Sequence, residues 1–570
     1  MREPVGMGMR GIGRRDFLKA APAAAGAIAI AAGAEPAGGA VPSPAAAPAA
    51  GPRIGDASYT PIPDYPIRAV PYFDVTVTDR FWRRKIDTNA SVTIPIEVAK
   101  LTARPRGLTG NVLEAAILSL RTHPNPQLRA AVDARIRELR DERWTGNSGF
   151  EVAAAYYMTT GRRDLLDNAT ASASRLYDEF TAADPPFSGG ERDAINCVQL
   201  YRATGARAHL DLAKHYLDIR GRADSVNRSR HNQSHKPVLE QGEAVGHAVN
   251  CVSLMVSLAD VGVLTGLDAY LDAARRMWRD VVDRKLYVTG GVGSTGNEGF
   301  GEAFALPNLS AYAETCAVLM FITLNHRLFL ATGDGQYVDV MERGMYNNAV
   351  DGVSIAGDRF FYVNRLASAG DGRDVRWARA SLECCPPNLV RFLAAMPGFI
   401  YAQDPRGAVY VNLYVSSRTT WVVGGARLGV SLESEMPWGG RSRLTLTTSA
   451  PIRTAIKLRI PGWARGRPVP GSLYAFADRR QAPATVDVNG ASVSAVPDAW
   501  ATSRSSASGR TATWCRSRCR SSRGASSPTN GLQTIVAVRR SNAVRSSTAP
   551  NGRRSRTDAC STCSSIATPR

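Results

Sequence analysis

Two patterns of hydrophobic and polar positions divide the chain near residue 400. From about residue 86 to 395, apolar residues recur every three or four positions, which is typical of amphipathic helices. From about residue 408, apolar and polar residues alternate, as in AVYVNLYVSS and TAIKLRIPGW. Alternation with a period of two, interrupted by Gly, Pro and Asn, predicts antiparallel strands with one buried face. We therefore expect an α + β multidomain protein, in which a helical domain precedes a β-sandwich.

The helical region repeats a helix–turn–helix form. Thr-Gly turns join successive apolar segments at TGR (160–162), TGA (204–206) and TGD (332–334). A run of five or six such hairpins predicts a closed α/α barrel, although an open solenoid has the same periodicity. A short alternating stretch at 66–80 predicts a β segment before the helices. We assign 66–400 to the helical domain and 401–499 to an incomplete sandwich.

The first 34 residues have the features of an export signal. Arg14 and Arg15 precede Phe17, Leu18 and an alanine-rich apolar stretch, and Ala-Gly-Ala at 32–34 offers a cleavage site. This arrangement resembles a twin-arginine signal peptide, which predicts a periplasmic or extracellular protein. The alternative is a membrane-anchoring helix, but the stretch is short for a stable span. Residues 35–65 are rich in Ala, Pro and Gly, which is typical of a linker.

The positive charge is concentrated at the C-terminal end. The net charge is +20, and residues 501–570 contain 13 Arg, no Lys and one Asp, which accounts for +12 of it. A basic protein suggests nucleic-acid binding when the charge forms a face interleaved with aromatic residues. Here the excess lies in a Ser/Arg-rich tail, so we predict no nucleic-acid partner.

The segment 500–570 has the composition of a frameshifted product. Its Ser, Arg, Thr and Ala lack any strand pattern. The codons for Thr513-Trp514-Cys515, read from the third base, encode Leu, Met or Val followed by Val, so apolar sequence lies in another frame. The alternative is a disordered basic tail. Re-sequencing the gene decides between them, and the four cysteines of this tail carry no weight in the site prediction.

Five cysteines remain, and three of them share a pattern with a glutamate. Glu314 and Cys316 form Glu-x-Cys, while Cys384 and Cys385 are adjacent and precede two prolines. Three thiols and a carboxylate could coordinate one Zn²⁺ tetrahedrally. A metal holds thiols as thiolates, which explains adjacent cysteines that have no need of a disulfide. The alternative is that Cys316 is a core residue of an apolar helix.

At these residues the sequence resembles glycoside hydrolase family 127, the β-L-arabinofuranosidase family. The resemblance extends through much of 66–500. Its motifs are HNQSHKPVLEQGEAVGHAVN (231–250), GGVGSTGNEGFGEAFALPNLSAYAETCA (290–317), MERGMYNNAV (341–350), RFFYVNRL (359–366), ECCPPNLVR (383–391) and KLRIPGWA (457–464). It implies an (α/α)6 barrel followed by β-sandwich domains. It also implies a retaining glycosidase that acts on terminal β-L-arabinofuranosides or related sugars of a glycan or oligosaccharide.

The resemblance also assigns roles to individual residues. It implies that Zn²⁺ is held by Glu314, Cys316, Cys384 and Cys385, and that Cys384 is the nucleophile. The acid/base is expected in NEGFGEAF, where Glu298 is preferred because it lies sixteen residues before Glu314, with Glu302 as the alternate. Sugar contacts are expected from His247, Glu342 and Tyr362. His231 and His235 are weaker candidates, because Pro237 follows them and both could simply order a loop.

One departure from the family pattern affects the substrate more than the mechanism. Where the family often has Gly-His-Leu-Ile, this chain has Ser148-Gly149-Phe150-Glu151, so an expected sugar-binding histidine is absent. Two further functions therefore stay open at this stage. One is a non-hydrolytic carbohydrate-binding protein, and the other is a zinc-stabilised structural protein on the same scaffold. An oligomer is also possible.

Overall fold

The computed structural model describes most of the chain between residues 54 and 518. The described residues are 54–55, 59–103, 110–187, 190, 192–378, 384–477, 484–489, 491–493, 500–507 and 512–518, with only the backbone from 491 onward. The export signal, nearly all of the linker before residue 59 and the tail from 519 lie outside them. The predictions made for those segments therefore remain predictions.

The helical domain contains paired α-helices. Within the described residues they are α1 (Trp82–Thr88), α2 (Ile94–Thr102), α3 (Gly110–Thr122), α4 (Pro126–Asp141), α5 (Phe150–Thr160), α6 (Leu166–Ala183), α7 (Asp193–Thr204), α8 (Arg207–Asp218), α9 (Ala248–Thr265), α10 (Asp268–Arg284), α11 (Thr315–Thr332), α12 (Gly335–Gly344) and α13 (Cys385–Ala395).

The odd-numbered helices from α3 to α13 form a closed inner ring. Each contacts the next in order, and α13 contacts α3, which closes the circle. Each of α4, α6, α8, α10 and α12 packs outside the inner helix that precedes it, while α1 and α2 contact α13. This closure confirms the predicted (α/α)6 barrel and excludes the open solenoid.

Thr-Gly turns end four of the inner helices. The glycine after α5, α7, α9 and α11 has a left-handed backbone, with φ between 70° and 74°, at Gly161, Gly205, Gly266 and Gly333. Glycine adopts this conformation without steric cost, so it stops a helix and turns the chain. The recurrent turn therefore has the physical role that the sequence pattern predicted.

Helices α9 and α11 are mostly apolar around their circumference. Both are long and apolar enough to cross a membrane, but 83% and 78% of their most apolar windows are buried inside the protein. Their composition is explained by their place in the inner ring, because a helix surrounded by other helices is hydrophobic all round.

Two sheets follow the barrel and form the sandwich. Their strands are β1 (Arg68–Ala69), β2 (Val75–Val77), β3 (Tyr401–Gln403), β4 (Val409–Val411), β5 (Ser417–Val423), β6 (Ala426–Ser434), β7 (Arg441–Thr448), β8 (Ile452–Arg459), β9 (Val486–Val488), β10 (Ala491–Val493), β11 (Trp500–Ala507) and β12 (Ala512–Arg518). The strand orders are β1-β3-β4-β8-β11 and β10-β9-β12-β7-β6-β5-β2.

The sheets differ from the sequence-based expectation in three details. The β segment at 66–80 supplies β1 and β2, which are edge strands of the two sheets. The pair β4–β8 is parallel, although every other pair in these described strands is antiparallel. Strands β11 and β12 continue past residue 500, where the alternating pattern stops. Main-chain pairing needs no particular side chain, which is why the pattern did not predict these strands.

A buried group of charged residues joins the barrel to the sandwich. Arg459, at the end of β8, is fully buried and forms 2.5 Å ion pairs with Asp339 and Glu342 of α12. Arg465 lies 3.4 Å from Asp339, and the Trp463 indole donates to Glu342 over 3.1 Å. Each carboxylate therefore has a partner from the sandwich side.

Candidate active site

Three sulfurs and a carboxylate converge at one end of the barrel. Cys316 Sγ lies 2.9 Å from Cys384 Sγ and 3.2 Å from Cys385 Sγ. Glu314 Oε1 lies 3.4 Å from the Cys384 sulfur and 3.6 Å from the Cys385 sulfur. All four ligand atoms lie within 4.8 Å of one another, so they surround a single point.

Helix starts place these four residues. Glu314 is the N-cap of α11 and Cys316 lies in its first turn, while Cys384 caps α13 and Cys385 begins it. Pro386 and Pro387 follow within the first turn of α13, where the missing N–H groups cost no helical hydrogen bond. The positive ends of two helix dipoles therefore meet at the sulfurs, which favours thiolates over thiols.

The three cysteines are not equivalent. Cys316 and Cys385 are buried, whereas Cys384 is exposed. Hydrogen bonds with the other two cysteines, and then with Tyr362 and Glu314, lower the pKa of Cys384 to about 3, although partial burial opposes this. Burial raises the pKa of Cys316 and of Cys385 well above the usual range. Cys384 is therefore the sulfur whose ionised form these contacts favour, and it is the one that a ligand can reach.

Burial also affects the carboxyl of this group. It raises the pKa of Glu314 to about 8, and the neighbouring Cys384 and Glu298 contribute in the same direction. Glu314 Oε2 is buried and has no hydrogen-bond partner among the described residues. A buried carboxylate oxygen without a partner is costly, and this atom fits a group of residues that could hold a cation.

Glu298 is held beside the sulfurs by three hydrogen bonds. Its Oε1 accepts from the hydroxyls of Tyr312 at 2.9 Å and Tyr362 at 3.0 Å, and its Oε2 lies 2.7 Å from His247 Nε2. The Tyr362 hydroxyl also lies 3.9 Å from Cys384 Sγ. The carboxyl of Glu298 and the sulfur of Cys384 therefore contact the same hydroxyl group.

His247 belongs to a third helix start. It is the N-cap of α9, and its Nδ1 accepts from the Asn250 N–H at 3.5 Å. That bond leaves the ring proton on Nε2, so His247 donates to Glu298. The His231 ring packs against His247 with centroids 5.6 Å apart. The starts of α9, α11 and α13 thus supply most of the site.

Glu298 also has an unusual backbone. Its φ is 63°, which is left-handed and uncommon for any residue other than glycine. The Ala248 N–H donates to the Glu298 carbonyl at 2.8 Å, and this bond fastens the turn to the start of α9. Strained backbone of this kind concentrates at functional sites, where surrounding contacts hold it.

Comparison with known proteins identifies the family of this chain. The catalytic domain of the glycoside hydrolase family 127 β-L-arabinofuranosidases matches residues 137–398, and the family's middle domain matches 408–511. A solved family 127 β-arabinofuranosidase is 32% identical, and the match covers 80% of this chain and 81% of that one with a TM-score of 0.71. The chain belongs to glycoside hydrolase family 127.

Two further relatives carry similar names. A solved family 127 β-L-arabinofuranosidase from Geobacillus stearothermophilus is 27% identical, with 78% and 81% of the two chains covered and a TM-score of 0.68. The non-reducing end β-L-arabinofuranosidase of Bifidobacterium longum subsp. longum is 28% identical over 438 residues, 63% of this chain. That match spans 66% of the Bifidobacterium protein, slightly under two thirds of its length.

The structure brings together most of the residues that the sequence indicated. Glu298, His247 and Tyr362 lie with Glu314 and the three cysteines, and His231 lies beside His247. Glu302 is exposed, and its side chain makes no hydrogen bond or ion pair within the described part of the chain. Of the two glutamates in NEGFGEAF, Glu298 is therefore the one that the fold places at the site.

Glu342 has a different environment from the one expected of a sugar contact. It is buried and bonded to Arg459 and Trp463. No hydrogen bond or ion pair joins it to Glu298 or the cysteines within the described residues. Sugar contact by Glu342 remains a prediction, and the contacts that the structure gives it fasten the barrel to the sandwich. His235 likewise lies in the loop before α9, where its carbonyl accepts from Arg228.

Sequence reasoning missed two residues of the site. Tyr312 lies two positions before Glu314 and donates to Glu298, and nothing in its sequence context distinguishes it from a core tyrosine. Asn388 donates to Cys316 Sγ at 3.1 Å. It lies one helical turn after Cys385, so the i, i+3 spacing on α13 could have identified it.

Proposed function

We propose that this chain is a retaining glycosidase that releases terminal β-L-arabinofuranosyl groups, or closely related sugars, from glycans. In this proposal Cys384 is the nucleophile and Glu298 is the acid/base. The observation that carries it is the Tyr362 hydroxyl, which contacts both groups. Retaining glycosidases place their two catalytic groups about 5–5.5 Å apart, close enough for both to act on one glycosidic bond.

The donor set fits a zinc ion. Three sulfurs and a carboxylate oxygen, mutually within 4.8 Å, match the ligand types and number of a tetrahedral site. Glu314, Cys316, Cys384 and Cys385 would hold it, and the unpartnered Glu314 Oε2 supports the presence of a cation. Bound there, zinc would keep the thiols ionised at neutral pH.

In the first half of the reaction, Cys384 Sγ attacks the anomeric carbon of the sugar. The bond from that carbon to the leaving oxygen breaks, and Glu298 gives its proton to that oxygen. The product is an alcohol and a sugar joined to Cys384 through a C–S bond. Tyr312, Tyr362 and His247 hold the Glu298 carboxyl in place during this transfer.

In the second half, Glu298 acts as a base. It takes a proton from a water molecule, whose oxygen attacks the anomeric carbon as the C–S bond breaks. The Cys384 thiolate and the protonated Glu298 are restored. Two displacements at the same carbon return the sugar with its original anomeric configuration.

The test is hydrolysis of aryl β-L-arabinofuranosides by the wild type and two variants. We expect Cys384→Ser to lower kcat/KM by at least about 10³-fold, because an alcohol is a far weaker nucleophile than a thiolate. We expect Glu298→Gln to impair substrates with poor leaving groups most, since a good leaving group needs no proton. Mass spectrometry of rapidly quenched wild type should show one pentosyl group on Cys384.

Glu302→Gln is the matched control, because the same change is made four residues away at an exposed position. It should leave the rates unchanged. Full hydrolysis by Cys384→Ser would reject the nucleophile assignment. Zinc binding without turnover of any aryl pentoside would favour the carbohydrate-binding or structural alternatives.

We also propose that the protein acts outside the cytoplasm. The support is the twin-arginine pattern at Arg14 and Arg15, which directs folded proteins across the membrane. The test is fractionation of the producing cells. Exchange of both arginines for lysine should retain the protein in the cytoplasm, and unchanged export would reject this route.

A further inference from the structure

Asn388 makes the hydrogen bond that distinguishes Cys316 from the other two sulfurs. Its Nδ2 lies 3.1 Å from Cys316 Sγ, and the residue is only 7% exposed. It is placed one turn after Cys385 on α13, so the helix that supplies two of the sulfurs also supplies a donor to the third.

The neighbours of Asn388 fix which way its amide points. Asn111 Nδ2 donates to Asn388 Oδ1 at 2.8 Å, and Arg391 Nη2 donates to the same oxygen at 3.3 Å. Both contacts require an oxygen at that position. The Asn388 NH₂ group is therefore directed at the sulfur, and the amide cannot flip without losing all three bonds.

Arg391 is itself held by two carboxylates that are largely shielded from solvent. It lies 3.2 Å from Glu114 and 3.6 Å from Glu151, and Glu151 accepts 2.6 Å hydrogen bonds from Arg192. The side chains of Arg391, Glu114 and Glu151 are 15–18% exposed. A charged group packed in this way has little freedom, so it keeps Asn388 oriented.

The donor creates an asymmetry among the sulfurs. A hydrogen bond to a thiolate stabilises its negative charge and thereby makes it less reactive. Cys316 receives such a bond from a fixed amide. Cys384 has no amide donor among the described contacts: its neighbours are the Cys316 sulfur at 2.9 Å, the Glu314 carboxyl at 3.4 Å and the Tyr362 hydroxyl at 3.9 Å. The sulfur without a close amide donor is also the exposed one.

We propose that Asn388 is a positioning residue that holds Cys316 as a permanent metal ligand and leaves Cys384 as the sulfur free to attack. Asn111 and Arg391 act through it by fixing its amide. This inference rests on the proposed function for its catalytic meaning. Its metal-binding consequence can be measured without any sugar.

The experiment measures zinc affinity by competition with a chromophoric chelator, and the thiolate-to-metal charge-transfer band after replacement of zinc by Co²⁺. Asn388→Asp keeps the size of the side chain but puts a carboxylate against the sulfur. We expect zinc affinity to fall about 10- to 100-fold, the usual effect of losing a partner of a metal ligand, and the band to shift. Asn388→Leu removes the amide donor and should likewise lower zinc affinity and shift the band.

Asn325→Asp is the matched control. Asn325 is fully buried on α11, the helix that carries Cys316. Its side-chain amide accepts a hydrogen bond from the Trp278 indole and donates one to the Phe321 carbonyl. Its exchange should lower stability without changing zinc affinity or the cobalt band. Asn111→Ala is a milder variant that leaves Asn388 in place, and we expect a several-fold loss of affinity.

Zinc affinity and a cobalt band that stay at wild-type values in Asn388→Leu and in Asn111→Ala would overturn the inference. So would a wild type that binds neither metal. A wild type that binds zinc and hydrolyses no pentoside rejects the proposed function instead, and the two failures are therefore distinguishable.

Discussion

Helix α11 of the barrel and strand β11 of the sandwich reach their places by different means. Helix α11 reads TCAVLMFITLNHRLFLAT, and most of its side chains are buried in the ring. Strand β11 reads WATSRSSA, has no alternation, and pairs with all eight residues of β8 through its backbone. Side-chain burial is therefore visible in the sequence of the helix, whereas the strand is recognised by its main-chain pairing with β8.

The difference shows which part of a fold a sequence pattern can predict. A pattern of apolar residues records what the side chains need, so it predicts α11 and its neighbours. It says nothing about a strand such as β11, whose sequence has no alternation. The two regions nevertheless depend on each other, because the sandwich supplies buried charged partners to α12.

Replacement of Arg459 should have the largest effect on the contact between the barrel and the sandwich. Arg459→Met leaves the carboxylates of Asp339 and Glu342 buried with fewer positive partners, and uncompensated buried charge costs about 3–5 kcal/mol. We expect a drop in Tm of many degrees, measured by calorimetry. Arg465→Met is the control, because Arg465 lies further from Asp339 and is partly exposed, and it should cost much less. Equal effects of the two changes would contradict a special role for Arg459.

Acid should lower the free energy of unfolding through His326, which lies where the barrel meets the sandwich. This residue of α11 packs on Phe399, in the segment that connects the barrel to β3, with ring centroids 4.7 Å apart. Burial, and then Arg327 and Arg202, lower its pKa from 6.5 to about 3. Below pH 6.5 the His326 imidazole binds a proton in the unfolded chain but stays neutral in the folded chain. The folded state therefore loses stability as the pH falls.

The effect of His326 should reach roughly 3 kcal/mol at pH 4, since each pKa unit corresponds to about 1.4 kcal/mol. Thermal unfolding of the wild type at pH 7 and at pH 4 measures the total change. His326→Leu should lose less stability over that interval than the wild type. His209 adds a similar contribution, because burial lowers its pKa to about 4. A pH dependence unaltered by His326→Leu would show that other groups account for it.

The smallest loss of stability is expected at a residue far from both the candidate active site and the contact between the barrel and the sandwich. Asn125 caps the outer helix α4, and its side chain accepts from the Leu128 N–H at 3.0 Å. Asn125→Ala should cost about 1 kcal/mol. Zinc affinity and hydrolysis should be unchanged, and Asn125→Asp should restore most of the stability. A loss of zinc affinity would mean that the outer helices influence the site.

Most of the fold could be predicted because side chains and turns dictate it. The Thr-Gly turns and apolar segments indicated the helical hairpins, but only the contact of α13 with α3 closes the ring. The partners of β1 and β2 could not be predicted. Two or three alternating residues do not specify which strand, more than 300 positions away, will pair with them.

The candidate site was predictable where spacing carried the information. Glu-x-Cys and Cys-Cys placed four donors at two helix starts, and these converge as expected. Spacing alone could not assign a role to Tyr312, and it left Glu302 open beside Glu298. The contacts of Glu342 could not be predicted, because Arg459 lies 117 residues later and in another domain.

The three sulfurs of the site come from two inner helices that are far apart in the sequence. Cys316 belongs to the fifth inner helix, and Cys384 and Cys385 start the sixth, which closes against the first. A nascent chain that stops before residue 384 presents one thiol of the three, however well its earlier hairpins have formed. A metal held by all four residues would therefore need the sixth inner helix in place beside the fifth.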